Sequence, residues 1–220
     1  MLFDLRSRGR RRTVQFVYIG LAVLIGSGLV LFGVGTGGGG GGLLGGLTGN
    51  SSSSGAAAVT SQTRKALAAT QRSPDSASAW ANLVAARFSA ANSAGYDSAT
   101  STYTAAGKVQ LQGATQAYAR YLKLTRKPSE NSATIAAKAY TQLGDWRTAS
   151  ITYQTVLASG PSNIHSLECV ALTSYAAGDD RVAELAQARV LTKLPKSVRK
   201  ATQTQLEGAK TSKTVVTETC

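Results

Sequence analysis

Histidine and methionine occur once each in these 220 residues, and cysteine and tryptophan twice each. One imidazole, His165, excludes paired-histidine metal sites. It stands just after Ser162 in a helical pattern, where a helix-start position accounts for it without chemistry. His165 and Cys169 share one helix face, but two ligands do not make a zinc site. The cysteines are too far apart to suggest a disulfide framework. Cys169 reads as a small buried hydrophobe, and Cys220 as a free terminal thiol able to pair between chains outside a membrane. The acidic residues are mostly isolated, and Asp179-Asp180 reads as a helix cap with a solvated neighbour. No catalytic, cofactor or metal site is assigned, and the chain is read as a non-enzyme. Aromatic residues make up 6%, so a core must come largely from Ala, Leu and Val, which favours helices.

Acids are also scarce, 11 against 24 Lys and Arg, for a formal charge of +13. Residues 1–12 contribute five Arg against Asp4, a net +4, and the remaining +9 is spread over residues 56–220. A spread excess is weak evidence for nucleic acid. Two local clusters stand out: Arg120, Lys123, Arg126 and Lys127, and Lys193, Lys196, Arg199 and Lys200. Either suits an acidic peptide, an anionic envelope polymer or lipid headgroups, or a solvated surface that keeps an Ala-rich domain soluble.

Arg6, Arg8, Arg10, Arg11 and Arg12 precede an uncharged stretch, Thr13 to Asn50. Val14 to Val34 is rich in Leu, Ile, Val and Phe. About 21 residues at roughly 1.5 Å rise are long enough to cross a ~30 Å hydrocarbon core. The arginines hold that side in the cytoplasm, so a transmembrane helix over 13–34 places everything after it outside the cytoplasm. That location disfavours nucleic acid as a partner. A cleavable signal would have a shorter apolar region and a small-residue site, and only Ala56-Ala57-Ala58 approaches one. Ala22 with Gly26 and Gly33 with Gly37 are small-residue pairs through which two such helices can associate, a homodimer nothing else in the sequence supports. Residues 35–59 are Gly/Ser-rich and read as a flexible linker, about 20 residues of which reach near 25 Å. A phosphate-cradling glycine loop would need a Gly-Lys-Ser/Thr ending, which is missing.

From Thr60 onward the pattern is helical. Thr63 to Gln71 forms a short helix that stops before Ser73-Pro74. Asp75 or Ser76 can cap the next, in which Trp80, Leu83, Val84, Arg87 and Phe88 form one stripe. Further on, the chain echoes itself after 34 positions: Gly144 and Gly178, Asp145 and Asp179, Ala149 and Ala183, Val156 and Val190, Pro161 and Pro195.

These residues resemble the tetratricopeptide repeat, a 34-residue helix-turn-helix unit with the pattern W-x2-L-G-x2-Y, A-x3-F, P. In the first unit Trp80, Leu83, Val84 and Arg87 take the first-helix positions, and Ala117, Tyr121 and Pro128 the second-helix and closing ones. In the second, Ala133, Ala136, Ala137 and Tyr140 precede the turn at Gly144, and Ala149, Tyr153 and Pro161 complete it. In the third, Leu167, Val170, Ala171 and Ser174 are followed by Gly178, Ala183, Gln187 and Pro195, with Gln in the aromatic position. The resemblance implies an all-α solenoid over 60–210, with repeats at about 77–129, 130–163 and 164–197, a capping helix over 196–210 and a flexible tail over 211–220. It also implies a scaffold that takes a protein or peptide partner on its concave face.

Trp80 and Ala117 stand 37 positions apart, where the plain repeat has about 16. The first unit therefore carries an insertion of some 20 residues, polar and turn-rich, with Tyr96 and Tyr103. Tyr96, Tyr103, Arg120 and Lys123 are the candidate partner-binding residues, and the insertion either binds or shields the open end of the stack. The functional expectation is a membrane-anchored adaptor in the cell envelope. The alternatives are an ancillary chaperone of protein export and a binder of anionic polymer or lipid.

Overall fold

The computed structural model describes residues 51–160 and 163–220. The basic segment, the expected transmembrane helix, the linker up to Asn50 and Pro161 lie outside them. Among the described residues no helix is long and apolar enough to cross a membrane. Contacts divide the chain between Ala58 and Val59, and the domain described below is the second unit.

Helix α1 (Ser51–Arg72) starts inside the stretch expected as linker and continues well before Thr63. Its Ala-rich sequence has high helix propensity, which the Gly/Ser composition upstream hides. The Thr63 hydroxyl donates to the Ala86 carbonyl at 3.3 Å, fastening α1 to α2 (Ala77–Ala94). Ser76 caps α2 by accepting from the Ala79 amide. Trp80 donates its indole N–H to the Pro74 carbonyl at 2.8 Å, which ties the entry turn to α2.

The expected insertion is mostly helix. Helices α2 and α3 (Ala105–Leu124) run past ordinary repeat length and are joined by a two-residue antiparallel ladder, β1 (Tyr96–Asp97) with β2 (Thr102–Tyr103). Ser101 takes a left-handed φ of 53° in its turn. The long helices close on each other because Gly95 and Gly107 meet backbone to backbone, and a Cβ on either would collide with the other. The Thr104 amide donates to the Gly95 carbonyl at 2.8 Å, sealing that approach.

The next two hairpins follow the sequence closely. Helices α4 (Glu130–Leu143) and α5 (Trp146–Ser159) are followed by α6 (Ile164–Ala177) and α7 (Asp180–Lys193). The starts of α4 and α6, Glu130 and Ile164, and those of α5 and α7, Trp146 and Asp180, are both 34 positions apart. Gly144 and Gly178 end the first helix of each pair with φ of 77° and 76°, the left-handed conformation that side chains with a Cβ resist. Asp145 and Asp179 then accept from the amides of Thr148 and Val182 to start the second helix.

Consecutive helices pack pairwise from α2 to α7. Ala137, Ala149, Ala171 and Ala183 are fully buried, small because backbones pass closely there. Bulk comes from Leu83, Tyr118, Tyr121, Tyr153 and Leu167. Trp80 and Tyr140 are half-buried at the edge of that core. Two polar seams run through this core: between the first two hairpins the Tyr121 hydroxyl accepts from the Ser129 amide at 2.8 Å, and within the third Gln187 accepts from the Tyr175 hydroxyl at 2.9 Å. The second seam explains the glutamine in the aromatic position of the third hairpin. Its amide N–H also reaches Glu207 of α8 (Lys196–Gly208), so the side chain binds polar partners on both sides. Helix α8 packs on α6 and α7. Pro195 ends the third hairpin by standing at the N-cap of α8, Pro128 precedes α4, and Leu206 is the buried residue of α8.

Candidate functional site

The segment expected as a flexible tail is docked. After α8 the chain turns through Ala209–Lys213 into a last helix, α9 (Thr214–Thr219), which lies against both α4 and α6. These are the first helices of the second and third hairpins, and the chain's own last helix lies across them.

Four attachments hold α9. Val216 is fully buried. Gln142 of α4 donates its side-chain amide to the Thr217 carbonyl at 2.9 Å. The Tyr153 hydroxyl, reaching across from α5, donates to the Cys220 carbonyl at 3.0 Å. Cys220 is joined to Cys169 of α6 by a disulfide, with their Cα atoms 5.7 Å apart. Both cysteine expectations are thereby corrected: Cys169 is half of a crosslink, and Cys220 pairs within the chain. Sequence spacing missed this because the helices between the cysteines, not their separation along the chain, fold residue 220 back onto α6. One sequence signal was present: Val216 and Cys220 stand four residues apart, on one helix face.

Charged groups secure the approach to α9. Lys210 contacts Asp180 at 3.2 Å and stands over the Tyr175 ring, 4.6 Å from its centre. The hydrogen bond to Asp180 raises the Lys210 pKa. Hydrogen bonds from Gln203 and Gln187 lower that of Glu207. Along the Thr214–Thr217 edge of α9 runs an open cleft of about 450 Å³, lined also by Lys108, Gln112, Gln142 and Lys213.

His165 lies 3.8 Å from the Cys169 sulfur through Nε2 and 4.0 Å from Glu168 through Nδ1. With Cys169 in a disulfide, that pair offers no thiolate ligand. Among the described residues no group of three or more His, Cys, Asp or Glu side chains could hold a metal ion.

The candidate partner-binding residues do not converge. Tyr96 and Tyr103 pack edge to face with ring centres 5.1 Å apart, and the Tyr103 hydroxyl donates to Asn92 at 2.5 Å. They brace the hairpin where α2 passes into α3. Arg120 pairs with Asp75 at 3.7 Å, and Lys123 is exposed one turn further along α3. Seventeen residues separate Tyr103 from Arg120, roughly 25 Å along a helix, so these groups belong to opposite ends of the first hairpin.

Two buried tyrosines make the domain sensitive to alkali. Burial pushes the Tyr118 phenol up to about 12 from an ordinary value of 10.0 and raises Tyr153 as well. The Tyr118 hydroxyl is buried without a partner. Both phenols are neutral in the fold while an unfolded chain ionises them near pH 10, so their contribution to stability is complete below pH 10 and is lost as pH rises, through about 12 for Tyr118 and later for Tyr153. Phenolate absorbance followed with circular dichroism should show these two tyrosines ionising only together with unfolding. Ionisation of every tyrosine near pH 10 in a folded protein would contradict their burial.

No protein-family model, no curated protein and no solved structure matches this chain, so what it does must be read from the face that α9 occupies.

Proposed function

We propose that the protein is a tetratricopeptide-like scaffold that holds a helical segment of a partner protein, anchored by a single N-terminal span with its folded domain outside the cytoplasm. It acts as a binding protein in the cell envelope. The observation that carries this function is how α9 is held. Gln142 and Tyr153 donate to main-chain carbonyls of a short helix while one apolar side chain is buried beneath it. Such contacts read backbone and small apolar groups, so they suit a peptide segment better than a small metabolite. The disulfide favours an oxidising compartment, in accord with an anchor preceded by arginines.

A photo-crosslinker at Lys138, one turn before Gln142 on the same side of α4, tests it in cells. One stoichiometric partner in the crosslinked product is the expected result. A broad collection of unfolded exported chains would instead identify a chaperone of export, and the absence of any crosslinked protein would overturn both. Orientation is tested separately with a membrane-impermeant maleimide and a cysteine engineered between residues 35 and 50. Failure to label it from outside intact cells would reverse the assigned topology.

A further inference from the structure

Six residues are too few to hold a helix in water, so α9 owes its order to what it rests on. Its non-covalent hold is small: Val216 buried, Val215 partly covered, and the two hydrogen bonds from Gln142 and Tyr153. The remaining attachment is covalent, the Cys169–Cys220 bond. Helices α4 to α7 have their own core of Ala136, Ala137, Tyr153, Leu167, Ala171 and Val190, none of which belongs to α9.

We propose that the face of α4 and α6 is a helix-binding groove stored closed under α9, and that thiol–disulfide exchange at Cys169–Cys220 with an external dithiol opens it. This rests on the scaffold function proposed above and specifies its partner and its control. The groove admits a short helix with small apolar side chains four residues apart, in the places of Val216 and Cys220, and with carbonyls free to accept from Gln142 and Tyr153.

The exchange balances with the dithiol as reductant. A thiolate of the dithiol attacks the sulfur of Cys220, the less buried of the two. The Cys169–Cys220 bond breaks and Cys169 leaves as thiolate beside His165 Nε2. The second thiol of the dithiol then displaces Cys220 from the mixed disulfide. Two electrons pass to the protein, the dithiol ends as a disulfide, and its two protons end on Cys169 and Cys220.

The test uses the full chain in detergent, oxidised or treated with dithiothreitol. Amide hydrogen exchange is read across the chain. In parallel, a labelled peptide with the sequence of residues 209–220 carrying Cys220→Ser is titrated onto both forms. Reduction is expected to speed exchange in Thr214–Cys220 at least tenfold while α4 to α7 stay protected, and the peptide is expected to bind the reduced protein at least tenfold more tightly. Persistent protection of α9 after reduction would overturn the gate, as would equal peptide binding to both forms. Loss of protection in α4 to α7 as complete as in Thr214–Cys220 would overturn it too, by showing that the hairpins do not stay folded without the disulfide. The outcomes stay distinct from those for the scaffold itself: a gate that works in this assay with no partner crosslinked at Lys138 sinks the adaptor and leaves the groove. A partner crosslinked to a protein whose α9 never opens does the reverse.

Discussion

Replacing Cys220 with serine is expected to lower the unfolding free energy by about 4 kcal/mol, because the disulfide closes a loop between residues 51 apart and removes that conformational freedom from the unfolded chain. For a domain of this size the thermal midpoint should fall by roughly 10 °C. The controls follow from the same cause. Dithiothreitol should shift the wild-type protein by a similar amount and leave the variant unmoved. Adding Cys169→Ala to Cys220→Ser should cost little more, since the crosslink is already gone and no polar group is buried. A variant as stable as the oxidised parent would mean that the bond contributes nothing, and a reductant effect on the variant would place the sensitivity elsewhere. Serine at 220 is the better single change, because Cys169 is fully buried and a hydroxyl there would add a desolvation cost of its own.

Tyr153→Ala is expected to be as severe, at about 3–5 kcal/mol, the range for truncating a large buried aromatic. Tyr153 is 1% exposed in the main core, and its hydroxyl reaches the Cys220 carbonyl. The informative comparison is Tyr153→Phe, which keeps the ring and removes only the hydroxyl. The Cys220 carbonyl then loses its donor, at a cost of about 1 kcal/mol. Denaturant unfolding of the three proteins separates packing from the hydrogen bond. Equal losses for alanine and phenylalanine would show that the hydroxyl, not the ring, is what matters. Phenylalanine at 153 should also loosen α9 in hydrogen exchange while α4 to α7 stay unchanged.

The second and third hairpins were readable because their boundaries are local chemistry. Gly144-Asp145 and Gly178-Asp179 end one helix and start the next with no help from the rest of the chain, and the buried alanines mark where those helices cross. The glutamine at 187 looked like a defect of the pattern and is a hydrogen-bonded seam, visible only once Tyr175 and Glu207 are set beside it. The first hairpin was less legible. Polar, turn-rich residues read as loop, yet the pair Gly95 and Gly107 lets α2 and α3 lengthen and close on each other, a relation between residues twelve apart that no local propensity carries. Similarly, Ser51 to Val59 reads as linker beside the glycines before it, yet it forms the first turns of Ala-rich α1.

Least legible was the site. Residues 214–220 are too short for a period to register and too polar to announce burial, and their order comes wholly from tertiary contacts with α4, α5 and α6. The cysteines were assigned separate fates because sequence gives separation, whereas pairing depends on how α7 and α8 return the chain to α6. Tyr96, Tyr103, Arg120 and Lys123 were singled out for their chemistry, and the fold uses the first three in bracing contacts.

The bond between Cys169 and Cys220 also fixes how the domain carries mechanical load. Tension applied between the N-terminal end of the domain and residue 220 passes directly from one sulfur to the other, bypassing the rest of α6 and all of α7 and α8. While the bond is intact, the portion that such a pull can extend ends at Cys169. Once it is reduced, the same pull acts first on α9, the shortest and most lightly held helix of the domain.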